Sequence, residues 1–123
     1  SKFIAFWELH DTVDQETHIH DLNKAANLPP LTNHYSFSVS SKEELGSWRK
    51  KWQAAGLNVF EIDHNWCHSI YTTDPSGNAV EFCLTTGSFD EADRERALAA
   101  LEETEFNPSP PPALIKFWEP EPA

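Results

Sequence analysis

Three side chains suited to metal-assisted chemistry stand in segments that a folded sheet would bring together: His34, Tyr71 and Glu81. A neutral imidazole and a carboxylate suit a borderline divalent metal such as Fe(II), Mn(II), Ni(II) or Zn(II). Two ligands alone hold such an ion poorly, so a third ligand is needed. Two histidines and one carboxylate form a set that leaves one side of the metal open for oxygen and a chelating substrate.

A turn between Tyr71 and Glu81 would place these two side chains next to each other. The run Asp74-Pro75-Ser76-Gly77-Asn78 predicts a tight turn, because proline presets one dihedral angle and glycine accepts positive φ. The flanking segments 67–73 and 79–84 should then pair as neighbouring strands, with both side chains directed into one concavity. An unpaired carboxylate in a central strand would be costly, which favours a ligand role for Glu81.

The elements around these residues follow from their hydrophobic periodicity. Residues 34–39 alternate between polar and apolar side chains, which predicts a strand with one apolar face. Ser41 and Glu44 form a capping-box pattern, and apolar residues recur at helical spacing from there to Gly56. Three further strands are predicted at 57–62, 67–73 and 79–84. Residues 33–86 therefore indicate a strand, a helix and then three strands.

The remaining segments are predicted to flank this unit. Residues 2–9 are apolar and indicate a mostly buried strand, and residues 18–22 indicate a short extended piece. Ser88 and Glu91 repeat the capping-box pattern, which predicts a C-terminal helix within 87–106 whose Ala92, Leu98 and Leu101 pack onto the sheet. The proline-rich residues 107–123 should be extended or mobile.

Composition restricts the partners and the location. With 123 residues the chain holds one domain, and its net charge of −11 would repel nucleic acid and anionic lipid surfaces. No segment approaches the roughly 20 apolar residues needed to span a bilayer. Two cysteines and the lack of an apolar signal-peptide core indicate a cytoplasmic protein. Because the sequence begins at Ser1 and contains no Met, we expect a natural start further upstream.

Together these features resemble the vicinal oxygen chelate superfamily, which contains glyoxalases, fosfomycin and bleomycin resistance proteins and extradiol dioxygenases. The resemblance covers residues 2–85 and is most specific over residues 62–81, IDHNWCHSIYTTDPSGNAVE, which are similar to the extradiol dioxygenase signature. It implies an α+β fold in which paired βαβββ units form a curved mixed sheet around a metal cleft. Residues 33–86 would form one unit, and residues 1–32 would hold the last strand of a preceding unit and a linker.

The resemblance also implies roles for individual residues. His34 and Glu81 match two metal ligands, whereas the first histidine of the family belongs to a preceding unit, upstream of Ser1 or in another chain. Glu8 is an additional candidate ligand, because glyoxalase-like members take a glutamate from the last strand of their first unit. The missing first histidine would be supplied by a second copy of the chain in a homodimer or by upstream residues.

Further candidates would act on the substrate. His20, which precedes Asp21, matches the acid–base histidine of the extradiol enzymes, and histidine titrates in the range that deprotonation of a catechol requires. His64 and Tyr71 would donate hydrogen bonds to substrate oxygens. Trp66 and His68 lie near the expected cleft mouth and are candidates for contacts to the substrate.

The expected function is that of an Fe(II)-dependent extradiol dioxygenase, an oxidoreductase that cleaves the ring of a catechol-like substrate. One alternative is a glyoxalase-like isomerase or lyase, or a resistance-type thiol transferase, which would use Ni(II), Zn(II) or Mn(II) and enlist Glu8. Another is a non-catalytic module that binds a small molecule. Structural roles also remain open: His34 could simply begin a strand, Tyr71 could pack in the core and His64 could cap a strand end.

Overall fold

The chain adopts an α+β fold, described by a computed structural model for residues 3–7, 14, 17–105, 108 and 110–122. Within these residues a five-stranded mixed sheet forms and does not close into a barrel. The elements are α1 (Leu22–Ala25), β1 (His34–Ser38), α2 (Lys42–Ala54), β2 (Val59–Asp63), β3 (Cys67–Thr73), β4 (Ala79–Thr85), α3 (Glu91–Ala100) and β5 (Leu114–Trp118). None of the described helices is long and apolar enough to cross a bilayer.

The strand order of the sheet is β1-β4-β3-β2-β5. Strand β1 runs parallel to β4, and the other neighbouring strands are antiparallel. Parallel neighbours need a crossover connection, and the chain between β1 and β4 supplies it through α2 and the two strands that follow. The predicted order of one strand, one helix and three strands is therefore present. Its pairing with a second unit stays a prediction.

Helix α2 begins and ends where its sequence indicates. The Ser41 side chain accepts a hydrogen bond from the backbone N–H of Glu44 at 3.1 Å, and the Glu44 carboxylate accepts one from Ser40 at 2.8 Å. These bonds satisfy donors that a helix N-terminus leaves free. Gly56 follows the helix with φ +80°, a conformation that glycine adopts without strain.

The hydrophobic core lies between α2 and one face of the sheet. Its buried members are Val39, Leu45, Val59 and Ile70. The rings of Trp48, Trp52 and Phe82 are packed against them, with the Trp52 and Phe82 centroids 5.1 Å apart. We call this side of the sheet the core face and the other side the site face. Because side chains alternate along a strand, His34, Tyr71 and Glu81 all belong to the site face.

The hairpin between β3 and β4 confirms the predicted turn. The Asp74 carboxylate accepts hydrogen bonds from the backbone N–H groups of Ser76 at 2.9 Å and Asn78 at 2.8 Å, and Gly77 has φ +89°. A Cβ at Gly77 would lie 3.1 Å from the Asp21 side chain, so this position also requires a small residue. The hairpin fixes the register in which Tyr71 and Glu81 face each other.

The predictions for the N-terminal segments are wrong for this chain by itself. Residues 3–7 form no strand, and Phe3, Phe6 and Trp7 are 85–90% exposed. A strand requires a neighbour for its backbone hydrogen bonds, and no described strand pairs with this segment. Nor is 18–22 an extended piece throughout, because Asp21 caps α1 and Leu22 is its first residue.

Helix α3 forms within the predicted range, but it does not pack as expected. Asp90, rather than Ser88, caps it, and none of its residues is buried. Leu98 and Leu101 are 51% and 79% exposed. They share one side of the helix with Arg94, which pairs with Glu91 in solvent. The helix therefore has no continuous apolar stripe that would hold it against the sheet.

The proline-rich tail contains a strand that the sequence prediction missed. Residues Leu114–Trp118 form β5 and pair antiparallel with β2, and Ala113 N–H donates to the Asp63 carbonyl at 2.8 Å. Trp118 packs against the core, whereas Ile115 and Phe117 are exposed on the site face. These five residues are extended, but the expectation of an extended or mobile tail did not include their pairing in the sheet, because the neighbouring prolines obscured their short alternating pattern.

Replacing Ile70 with alanine should lower the free energy of unfolding by about 3 kcal/mol, because this fully buried side chain would leave a void against α2. Urea denaturation followed by tryptophan fluorescence measures the loss. Leu101→Ala is the matched control, since that side chain is 79% exposed and its removal should change stability by less than about 0.5 kcal/mol. Equal losses in the two variants would contradict the assigned core.

Candidate metal-binding site

Strands β1, β3 and β4 assemble the candidate site through their register. Glu81 of β4 lies opposite Tyr71 of β3 and opposite Ser36 of β1. His34 stands two residues before Ser36 on the same strand and therefore points to the same face. Residues that are far apart in sequence thus meet on the site face.

A close contact in the site joins His34 to Glu81. The His34 Nε2 and Glu81 Oε2 atoms are 3.1 Å apart, and the other ring nitrogen, Nδ1, lies 2.9 Å from the Leu31 carbonyl oxygen. Because a carbonyl oxygen only accepts, Nδ1 carries the proton of the neutral ring and Nε2 presents a lone pair. A lone pair and a carboxylate at this distance repel each other unless a proton or a metal cation lies between them.

Glu81 is held in place by several donors. Its side chain is only 8% exposed, and the Tyr71 hydroxyl donates to its Oε1 atom at 2.8 Å. Burial by itself raises the pKa of Glu81. Hydrogen bonds from Ser69, Ser36 and Tyr71, together with the positive charge that His34 carries when protonated, outweigh burial, so that the pKa of Glu81 is lowered overall. The carboxylate is therefore kept ionised, as a metal ligand must be.

Tyr71 connects this carboxylate to a second imidazole. Because its hydroxyl proton goes to Glu81, its oxygen accepts from His64 Nε2, 3.1 Å away. Burial, and then the hydrogen bond to Glu81, raises the pKa of Tyr71, so the phenol remains protonated. The result is a continuous hydrogen-bonded row from His64 through Tyr71 and Glu81 to His34.

The His34–Glu81 pair has the spacing of two neighbouring metal ligands. Ligand bonds of about 2.0–2.2 Å that meet at a right angle place the two ligand atoms about 3 Å apart. The Nδ1 bond of His34 to a backbone carbonyl is also the outer contact that orients a metal-binding imidazole. No cluster of three or more His, Cys, Asp or Glu suited to a metal occurs among the described residues, so any third ligand must come from elsewhere. Glu8, the additional candidate, lies outside the described residues.

His20 is not joined to this row of residues. It is exposed, and its ring packs edge-on against His18 with the centroids 4.5 Å apart. The carboxylate of the neighbouring Asp21 accepts hydrogen bonds from the backbone N–H groups of Asn23 and Lys24 as the N-cap of α1. The described contacts therefore give His20 no link to His34.

The two candidate substrate contacts also lie apart from His34 and Glu81. His68 points to the core face, where its Nε2 atom lies 2.7 Å from Glu61 Oε1, because it alternates with Ser69 and Tyr71 along β3. Trp66 occupies the turn between β2 and β3, 49% exposed, with its ring 5.7 Å from that of Phe89. The structure thus brings together His34, Tyr71, Glu81 and His64 but not these two residues.

Sequence reasoning missed the hydroxyls that support Glu81. Ser69 is fully buried on β3, and Ser36 lies opposite Glu81 on β1. Both sit at even spacing from a proposed site residue, Ser69 two positions from Tyr71 and Ser36 two positions from His34. That period of two could have identified them, since strand residues two apart share a face.

No protein-family model, curated protein or solved structure matched this chain in the comparisons made. The candidate metal site is therefore inferred from the geometry of the residues themselves.

The stability that Glu81 contributes should depend on pH in a defined direction. Its pKa is lowered by folding, so its contribution is complete above the ordinary value of 4.5 and is lost as the pH falls below that value. Glu81→Gln should lower the free energy of unfolding by about 1–3 kcal/mol at pH 7, and this difference from the wild type should shrink below pH 4.5. Urea denaturation between pH 3.5 and 7 measures it, and a gap that stays constant over this range would contradict the assignment.

Proposed function

We propose that this chain provides His34 and Glu81 as two ligands of a mononuclear metal site in an Fe(II)-dependent, ring-cleaving dioxygenase of the extradiol type. The observation that supports the metal site most strongly is the 3.1 Å approach of His34 Nε2 to Glu81 Oε2, with Nδ1 committed to the Leu31 carbonyl. The choice of dioxygenase chemistry rests on the similarity of residues 62–81 to the extradiol signature.

In this proposal the chain's own residues hold the site and carry protons. Tyr71 binds Glu81 through Oε1 and leaves Oε2 directed at His34. Fe(II), when bound, would bring together the two vicinal oxygens of a catechol and dioxygen. With Nε2 donating to the Tyr71 oxygen 3.1 Å away, a neutral His64 has its lone pair on Nδ1, and this atom would accept the proton that a substrate hydroxyl loses. An acid–base role for His20 rests on the resemblance alone.

A small substrate would have room next to His34. A cavity of about 240 Å³ is lined by Leu22, Asn33, His34, Tyr35 and Asn78. Since one water occupies about 30 Å³ of liquid, this volume corresponds to about eight waters, which suits a single aromatic ring with its hydroxyls. The position of the cavity beside a proposed ligand favours a small aromatic or dicarbonyl substrate.

We further propose that a second copy of the chain completes the site in a homodimer. Strand β1 is the edge of the described sheet, and all five of its residues are exposed. An unpaired edge that carries Tyr35 and Phe37 at 43% and 37% exposure is suited to contact with another chain. Such a contact would lie next to His34, where the third ligand is needed.

The non-oxidative alternatives use the same pair of ligands. A glyoxalase-like isomerase or a thiol transferase would add Glu8 and act on a dicarbonyl or thiol substrate with Ni(II), Zn(II) or Mn(II). In a metal-free binding module, a proton on His34 would satisfy the same 3.1 Å contact. Metal analysis and oxygen uptake separate these possibilities.

His34→Ala should abolish the retention of Fe(II) after anaerobic reconstitution and desalting, because one of the two ligands from this chain is removed. Elemental analysis of the desalted protein measures the metal. His18→Ala is the matched control, since that exposed imidazole has no contact with Glu81 among the described residues. If His34→Ala keeps as much iron as the control, the proposed site is wrong.

Tyr71→Phe should keep iron bound but slow oxygen consumption with catechol about 10- to 100-fold, because Glu81 loses the donor that orients it. An oxygen electrode with the Fe(II)-loaded wild type and variant measures the rates. If the iron-loaded wild type consumes no oxygen with catechols but converts a glutathione hemithioacetal, the result supports the glyoxalase-like alternative and contradicts the dioxygenase. Equal rates for variant and wild type would remove Tyr71 from the mechanism.

A further inference from the structure

A second cavity lies on the core face, on the opposite side of the sheet from Glu81. Its volume is about 190 Å³, and α2 forms one wall while β2 and β3 form the other. It is lined by Lys42, Leu45, Gly46, Arg49, Glu61, His68 and Ile70. None of these residues takes part in the proposed metal site.

The cavity has an apolar interior and a cationic rim. Leu45 and Ile70 are 4% and 1% exposed and give it two aliphatic surfaces. Lys42 and Arg49 stand on the same side of α2, seven residues or about two turns apart, and add two positive charges. Together with Glu61 in the same lining they leave one positive charge in excess, in a chain whose overall net charge is −11.

The acidic member of the lining, Glu61, is already engaged. Its Oε1 atom lies 2.7 Å from His68 Nε2, and its Oε2 atom accepts from the Trp118 indole N–H and lies 3.4 Å from an Arg49 terminal nitrogen. These partners balance its charge, which leaves Lys42 as the excess cation. The buried Nε of Arg49 has no hydrogen-bond partner within the described part of the chain.

Gly46 keeps the cavity open. Glycine in a helix interior is unfavourable relative to alanine, and here no packing constraint requires it, because an added Cβ would meet no atom within 4 Å. Its φ is not in the left-handed region, so the backbone does not require glycine either. What the missing side chain provides is space between Lys42 and Arg49.

We propose that this cavity binds a short-chain carboxylate. The carboxylate group would pair with Lys42 and Arg49, and the alkyl chain would lie against Leu45 and Ile70. A volume of about 190 Å³ corresponds to about six waters, which suits an acid of four or five carbon atoms. The guanidinium matches the planar carboxylate, which favours this class over a tetrahedral anion without an apolar tail.

Titration of the methyl-labelled full chain with sodium butyrate tests the proposal. Saturable shifts of the Leu45 and Ile70 methyl resonances are expected, with no effect of His34→Ala on the affinity. Gly46→Leu should abolish the shifts by filling the cavity, whereas Ser47→Leu on the adjacent exposed position should bind as the wild type. Lys42→Gln should weaken binding about 3- to 10-fold, and Lys50→Gln, an exposed lysine outside the lining, should not.

Two further probes complete the test, one without a charge and one without an alkyl tail. 1-Butanol, which has the same tail without the charge, should bind at least about tenfold more weakly, and inorganic phosphate should not shift either methyl group. The proposal is overturned if butyrate gives no saturable shift in the wild type, if Gly46→Leu binds as well as the wild type, or if butanol or phosphate binds equally well. Should Gly46→Leu fail to fold, an unchanged affinity in Lys42→Gln overturns it instead.

Discussion

The arrangement of the whole site depends on one close contact, that between His34 Nε2 and Glu81 Oε2. The Leu31 carbonyl fixes the proton of the neutral ring on Nδ1, so the other nitrogen offers a lone pair to a carboxylate. Such a pair is stable only with a cation between its members. A proton makes it an ion pair, and a divalent metal makes it the start of a coordination sphere. The proposed metal site follows from the second possibility, whereas the proposed dioxygenase reaction rests on the similarity of residues 62–81 to the extradiol signature.

The sheet makes this contact possible by separating two kinds of side chain. On the core face, the Trp52 and Phe82 rings and the buried Ile70 anchor α2 to the strands. On the site face, the register of β1, β4 and β3 puts polar groups opposite one another and shields Glu81 from water. Burial alone would favour a neutral carboxylic acid, but the surrounding donors keep Glu81 ionised. The packing of α2 on the core face therefore holds the strands that position the ionised Glu81 carboxylate among its donors on the site face.

Local patterns in the sequence predicted the parts of the fold that short-range physics determines. Period-two alternation located the strand that begins at His34, the Ser41 cap and Gly56 bounded α2, and the Asp74 turn set Tyr71 opposite Glu81. These features need only neighbouring residues, and they place His34, Tyr71 and Glu81 on one face of the sheet. His20, Trp66 and His68 lie apart from these three residues. The paired units, the identity of the metal and the reaction remain predictions.

The sequence patterns did not predict the features of the structure that depend on long-range contacts. Strand β5 forms because Trp118 reaches the core and the edge of β2 accepts a partner, neither of which is visible in a proline-rich tail. His68 is a candidate for substrate contact at the expected cleft mouth, but one step along a strand reverses the face, and it meets Glu61 instead. Helix α3 had capping residues but no apolar stripe, so it formed without packing.

In the proposed site a metal ion takes the place of the proton between His34 and Glu81. Long-range ¹H–¹⁵N NMR of the histidine rings during a titration with Zn(II), which is diamagnetic, tests it directly. The account predicts that the Nε2 resonance of His34 moves to a metal-bound position while Nδ1 keeps its proton. Zn(II) that leaves the His34 ring unchanged, or that binds first at His18 and His20, would contradict it.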